Sequence, residues 1–235
     1  MSFLDHLDEF RTRLIRSAIA WVILTVGLWF VSGDVLDLLV GDLPVDSLYF
    51  QSPTEAFMAR TKISLVLGLM VAFPYILYNV WAFVSPGLFD KERRHVYPLM
   101  IASSILFYVG VGFCYIVLIP IVLKFLLGFG TENLNPLLSV GAYFAFVARL
   151  SFTFGLVFQL PIVVLVLSSM GLVTPQFLLK QWRYGIVIIF VSSAILTPPD
   201  AVSLLMMALP IVLLYIVSIL IALATVRKKE KSETE

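Results

Sequence analysis

The order of apolar and charged residues predicts an all-α polytopic membrane protein: six transmembrane helices in a curved bundle of kinked helices, the last two short, with both termini in the cytoplasm. Three observations carry this expectation. Of 235 residues, 60% are hydrophobic and 13% charged, which is more apolar surface than a water-soluble domain of that length can cover. The apolar residues gather into runs long enough to cross a hydrocarbon core of about 30 Å. The charges are segregated between the runs, so their placement matters more than the net charge of +1.

The first run, 14–31, follows a segment carrying acids before its first arginine and is followed by no small-residue cleavage site, so it reads as a retained span and not a signal peptide. An acidic loop, 32–59, comes next, with Pro44 and Pro53 as breaks and short helical or interfacial pieces expected within it. The second to fourth runs are 60–83, 96–127 and 143–167. The fifth, 184–196, leaves about thirteen residues between Arg183 and the turn Thr197-Pro198-Pro199-Asp200, roughly 20 Å of helix. The sixth is 201–226, and a solvated charged tail begins at about 227. Pro74, Pro98, Pro120, Pro161 and Pro210 fall inside or at the edge of these runs, each removing a backbone hydrogen bond and bending its helix. With no internal repeat, residues 1–235 read as a single integral membrane domain.

An even number of spans puts both termini on one side. Of 16 basic residues, twelve then share the terminal side, among them Arg11, Arg13, Arg16, Lys91, Arg93 and Arg94. The opposite loops carry Asp34, Asp37, Asp42, Asp46, Glu55, Glu132 and Asp200. The excess of Lys and Arg on the terminal side places that side in the cytoplasm.

Two charged segments, His6-Leu7-Asp8-Glu9-Phe10-Arg11-Thr12-Arg13 and Pro86-Gly87-Leu88-Phe89-Asp90-Lys91-Glu92-Arg93-Arg94, each set a glutamate among arginines. On a common side of the membrane they form a polar surface where the acids receive a basic peptide and the neighbouring cations keep those acids ionised. The plainer alternative is that both are interfacial anchors whose cations set topology, which accounts for the arginines better than for Glu92. Gln159 is the clearest polar side chain inside an apolar run, and its amide requires partners within the bundle or a wet recess. Interhelical glue explains it equally well. Cys114 is the only cysteine, so no internal disulfide or clustered metal site is expected. No catalytic constellation and no phosphate-cradling glycine loop occurs, which argues against an enzyme, an ATP-driven pump or a cofactor. A secondary transporter or channel for small solutes is the rival reading, supported by Gln159 and the prolines alone.

His6-Leu7-x-Glu9-x-Arg11-x-Arg13, Ser52-Pro53-x-Glu55, Phe73-Pro74-x-Ile76-Leu77-Tyr78-x-x-Trp81-x-Phe83 and Pro86-x-Leu88-x-x-x-Glu92-Arg93-Arg94 follow one another in this order, and Phe154-Gly155, Phe158, Pro161, Thr174-Pro175 and Leu196-Thr197-Pro198-Pro199-Asp200 continue the series. Together they resemble the TatC family, the multispanning subunit of the twin-arginine protein translocase. The resemblance implies a receptor for the twin-arginine signal peptides of folded precursors and the core of a proton-motive-force-driven translocase in the cytoplasmic (inner) membrane. It implies that Glu9 and Glu92 receive the arginine pair, with Arg11, Arg13, Phe83, Pro86, Leu88 and Arg94 as the supporting surface. Implied partners are single-span TatA/TatB-type subunits, further copies of this chain in the receptor complex, and lipid, with no nucleic acid. Gln159, Thr197 and Asp200 are the implied intramembrane and partner-facing polar residues. Two positions depart from the family pattern: Gln159 replaces a glutamate common there and cannot ionise, and Leu204 stands where the pattern implies a glutamine that helps dock a partner.

Overall fold

The structure, a computed structural model, describes residues 3–41, 48–49, 51–84, 96–129, 138–197 and 200–234. Helices α1 (Phe3–Gly41) and α2 (Pro53–Val84) are followed by α3 (Val96–Phe113) and α4 (Ile119–Leu127), which are joined through a π turn, Cys114–Leu118. Then come α5 (Val140–Val157), α6 (Leu160–Ser169), the short α7 (Pro175–Lys180), α8 (Trp182–Leu196) and α9 (Ala201–Thr234). Five continuous helical stretches among the described residues are long and apolar enough to cross a membrane, and α8 is a shorter apolar helix beside them. Each of the six expected runs lies within one of these stretches.

The boundaries differ from the sequence expectation at four helices: α2 begins at Pro53, inside the expected loop, and α9 remains helical to Thr234 through the expected charged tail, while α1 and α8 differ as follows. Helix α1 continues to Gly41 through Asp34 and Asp37, so the first ten residues of the expected loop are helical. Both aspartates are exposed on that extension while Val35 and Leu36 are partly covered, an amphipathic pattern that prolongs a helix as readily as it ends one. Of the final pair, α8 has 15 residues, about 22 Å. The apolar part of α9, Ala201–Val226, has 26 residues, about 39 Å. The shortness therefore belongs to α8 alone.

The chain divides into two compact units, 1–104 with 123–152 and 105–122 with 153–235. In the first unit α1 and α2 run antiparallel. His6 and Phe10 meet Phe83 at one end, the Trp21 indole N–H donates to Leu65 O at 2.9 Å in the middle, and Arg60 Nε donates to Ser32 Oγ at 3.2 Å near the other end. Gly68 permits the close approach: a Cβ there would lie 2.9 Å from the Thr25 backbone. Trp81 is buried, its N–H 3.3 Å from Ser103 Oγ of α3.

Ahead of the apolar run 60–83, Glu55 joins two chain segments. Pro53 begins α2, where the missing N–H removes no helical bond, and Glu55 Oε2 accepts from the Gln51 N–H at 2.5 Å. Its Oε1 accepts from the Ser139 hydroxyl and from the Gly141 N–H, the latter at 2.8 Å, placing a carboxylate at the amino end of α5. A parallel bridge between Tyr49 and Ser139 reinforces the join. The Ser139 hydroxyl first, then the two backbone N–H groups, hold the Glu55 carboxyl below the usual carboxylate range.

In the second unit, glycines again set helix approach. A Cβ on Gly110 would lie 2.7 Å from Phe154 O, and one on Gly155 would press into the edge of the Phe107 ring. Among the prolines, Pro74 and Pro210 sit inside uninterrupted helices, whereas Pro120 follows the π turn, in which the Ile119 N–H reaches back to Cys114 O. Helix α6 ends at Gly171, whose φ of 74° favours glycine. Leu172 N–H donates to Leu167 O at 2.9 Å and Gly171 N–H to Ser168 O at 3.1 Å, satisfying the last carbonyls. Thr174 then caps α7, accepting from the Phe177 N–H at 3.2 Å, with Pro175 in the first helical position. The Tyr215 hydroxyl of α9 donates to Leu178 O at 3.0 Å.

Candidate functional site

Helical spacing gathers the first candidate site. His6, Glu9, Phe10 and Arg13 stand at i, i+3, i+4 and i+7 of α1, so they share one face of the helix. Phe83, in the last turn of α2, closes against that face: its ring stacks on His6 with centroids 4.3 Å apart and 14° between planes, and meets Phe10 at 5.3 Å. Arg11 projects elsewhere and is exposed. Glu9 and Arg13 keep 22% and 23% of their side chains exposed, so their charges are only partly screened by water. Arg13 donates from both Nη2 (2.6 Å) and Nε (2.9 Å), and both donors converge on Glu9 Oε1. Glu9 Oε2 is shielded from solvent and has no hydrogen-bond partner among the described residues. Pro86, Leu88, Glu92 and Arg94 lie outside the described residues.

His6 was not among the expected site residues. Its signal was its place three residues before Glu9, which becomes informative only once Phe83 is known to stack there.

Gln159 lies in the interruption between α5 and α6. Its backbone N–H donates to Leu156 O at 3.0 Å instead of to Gly155 O, so the chain tightens there. The side-chain amide then approaches the carbonyl left behind, Gly155 O, at 3.5 Å. Gln159 O serves the next helix, accepting from the Ile162 and Val163 N–H groups at 3.0 and 2.9 Å. Pro161 follows at the second helical position, where its missing N–H is harmless. Gln159 is half-buried.

Thr197 and Asp200 sit at two helix ends. The Thr197 hydroxyl donates to Ser193 O at 2.9 Å at the end of α8, and Asp200 Oδ1 accepts from the Ser203 N–H at 2.7 Å at the start of α9. Leu204, in the first turn of α9, is partly covered. Asp200 Oδ2 and the hydroxyls of Ser193 and Ser203 are shielded and without partners among the described residues. No group of three or more potential metal ligands gathers among the described residues.

A family model described as Sec-independent protein translocase protein (TatC) matches residues 5–210. The chain is 41% identical to the Sec-independent protein translocase protein TatC of Aquifex aeolicus, with 98% of each chain covered. It is 38% identical to the TatC of Desulforapulum autotrophicum, over 99% of this chain and 88% of that one, and 35% identical to TatCy of Bacillus subtilis, over 99% and 92%. Its structure is similar to a crystal structure of the twin-arginine translocase receptor TatC, with a TM-score of 0.86 and 39% identity over 94% of this chain and 99% of that one.

Proposed function

The chain belongs to the TatC family of Sec-independent protein translocases, and from that premise we propose that it is the multi-pass, non-enzymatic receptor of a twin-arginine translocase. It binds the paired arginines of signal peptides on folded precursors and forms the core through which the proton-motive force drives export. The observation that carries the reading is Glu9: a partly buried carboxylate at the start of α1, on the helix face whose His6 and Phe10 pack against Phe83. A carboxylate so placed matches the planar, forked guanidinium of arginine, which lysine cannot imitate. Glu92 supplies the second carboxylate, and Arg11, Pro86, Leu88 and Arg94 complete the surface around it.

Both termini face the cytoplasm and the protein resides in the cytoplasmic (inner) membrane. Single-span TatA/TatB-type subunits dock along α8 and α9 near Thr197 and Asp200, and further copies of the chain join the receptor complex. The shortness of α8 supports that docking place, because a helix of about 22 Å in a core of about 30 Å leaves lipid poorly matched beside it.

The reading is tested by the binding of a twin-arginine signal peptide and its twin-lysine counterpart to the detergent-solubilised protein. Hydrogen bonds to charged groups contribute about 1.5–3 kcal/mol, so Glu9→Ala and Glu92→Ala are each expected to weaken arginine-peptide binding tenfold or more. Unchanged binding in both variants would remove the site assignment.

A further inference from the structure

The resting Glu9 presents no oxygen to solvent that is free of Arg13. Oε1 takes two donors from Arg13, and Oε2 is turned away from solvent without a partner among the described residues. A guanidinium from outside therefore meets a carboxylate already held by a guanidinium of the same chain. We propose that Arg13 is a competitive gate on Glu9, occupying the place of an incoming arginine and admitting only a ligand able to displace it. This rests on the receptor reading above and deepens it.

The geometry supplies the selectivity. Arg13 holds Glu9 through two donors on one oxygen and leaves the other without a partner among the described residues, so its grip uses half of what a carboxylate accepts. An incoming arginine that turns Glu9 outward pairs both oxygens through its parallel N–H groups and gains the bond that Oε2 now lacks. A lysine ammonium is a point charge with no matching fork, and exchanging Arg13 for it yields no net gain of paired oxygens. Discrimination between arginine and lysine then arises from the competition, in addition to the fit of the ligand. The spacing favours such a device: Arg13 sits one turn beyond Glu9 on the same face, so its side chain can leave and return without backbone movement.

The experiment measures the dissociation constants of a twin-arginine and a twin-lysine signal peptide on the solubilised full chain, for wild type, Arg13→Gln, Arg13→Lys and the Glu9→Gln/Arg13→Gln double variant. In Arg13→Gln the lysine peptide is expected to bind at least fivefold more tightly, the arginine peptide to change less, and the ratio between them to fall. Arg13→Lys is expected to lie between wild type and Arg13→Gln. The double variant is expected to lose the gain, which ties it to the Glu9 carboxylate and separates it from the simple removal of a positive charge. An unchanged ratio in Arg13→Gln, equal loss of both peptides, or a gain that persists in the double variant would each overturn the gate and leave the receptor reading standing. A wild-type protein that binds neither peptide, or both alike, would overturn the receptor reading and the gate with it.

Discussion

The side-chain amide of Gln159 approaches Gly155 O at 3.5 Å, the carbonyl that its own backbone N–H has left for Leu156 O. One residue thus makes an irregularity in the helix and covers it. Gln159→Leu keeps the size and removes the donor. Hydrogen bonds in membrane interiors contribute about 0.6–2 kcal/mol, so this variant is expected to insert normally and unfold several degrees lower in a detergent melting experiment. Gln159→Glu, which still offers a donor when protonated, is expected to melt closer to wild type. Equal melting of Gln159→Leu and wild type would show that the amide contributes nothing there.

Glu55 gives stability a sign in pH. Its carboxyl is held below its ordinary range by the Ser139 hydroxyl and then by the Gln51 and Gly141 N–H groups. A depressed folded-state pKa stabilises the fold above the unfolded pKa, and the contribution is lost as pH falls through the folded value. Glu55→Gln is therefore expected to be less stable than wild type at neutral pH, with the difference shrinking on acidification. Melting curves of the two proteins across pH that stay parallel would contradict this.

Gly155→Leu drives a side chain into the Phe107 ring, against which a Cβ alone would already press. Overpacking of this kind costs about 1–3 kcal/mol. The expected result is a marked loss of monodisperse protein in size-exclusion chromatography, with Gly112→Leu, at a position where a Cβ meets nothing within 4 Å, close to wild type.

Asp200→Ala removes the acceptor of the Ser203 N–H. An N-cap lost to alanine costs about 0.5–2 kcal/mol, and Asp200→Asn, which keeps a capping oxygen, should recover most of it. The thermal stability of the pair decides whether Asp200 acts as a cap; an equal loss in both would point to its charge instead.

Phe83→Ala takes away the ring stacked on His6 and tilted against Phe10. Aromatic pairs contribute about 0.5–1.5 kcal/mol beyond burial, so arginine-peptide affinity is expected to fall threefold to tenfold as the helix face that carries Glu9 loses its packing partner. Titration of the labelled peptide gives the answer directly.

The helices were legible because apolar length is a property of composition, and a membrane leaves helices as the natural form for such runs. The overrun of α1 was not legible, since Asp34 and Asp37 look alike in an acidic loop and on the outer face of a continuing helix. Glu9 and Arg13 stood out by charge, but that both donors of Arg13 converge on one oxygen depends on rotamers that no spacing encodes. Gln159 was visible as a lone amide; its partner was not, because Gly155 O becomes available only when the backbone tightens. Asp200 with Ser203 three residues on has the form of a helix start, and this local signal was overshadowed by the partner-docking role that the resemblance implied.

The antiparallel contact between α1 and α2 also bears on the order of assembly. The direct contacts between these two helices, from Gly68 on Thr25 to Phe83 on His6, lie within the first 84 residues. During synthesis, which proceeds from the amino end, the hairpin has all its own partners once α2 has left the ribosome. Glu9, Arg13 and the packing of Phe83 on His6 and Phe10 are then in place before the third span has been made. The Glu9 part of the receiving surface is thus finished early, and the later helices are added to a nascent chain that already carries it.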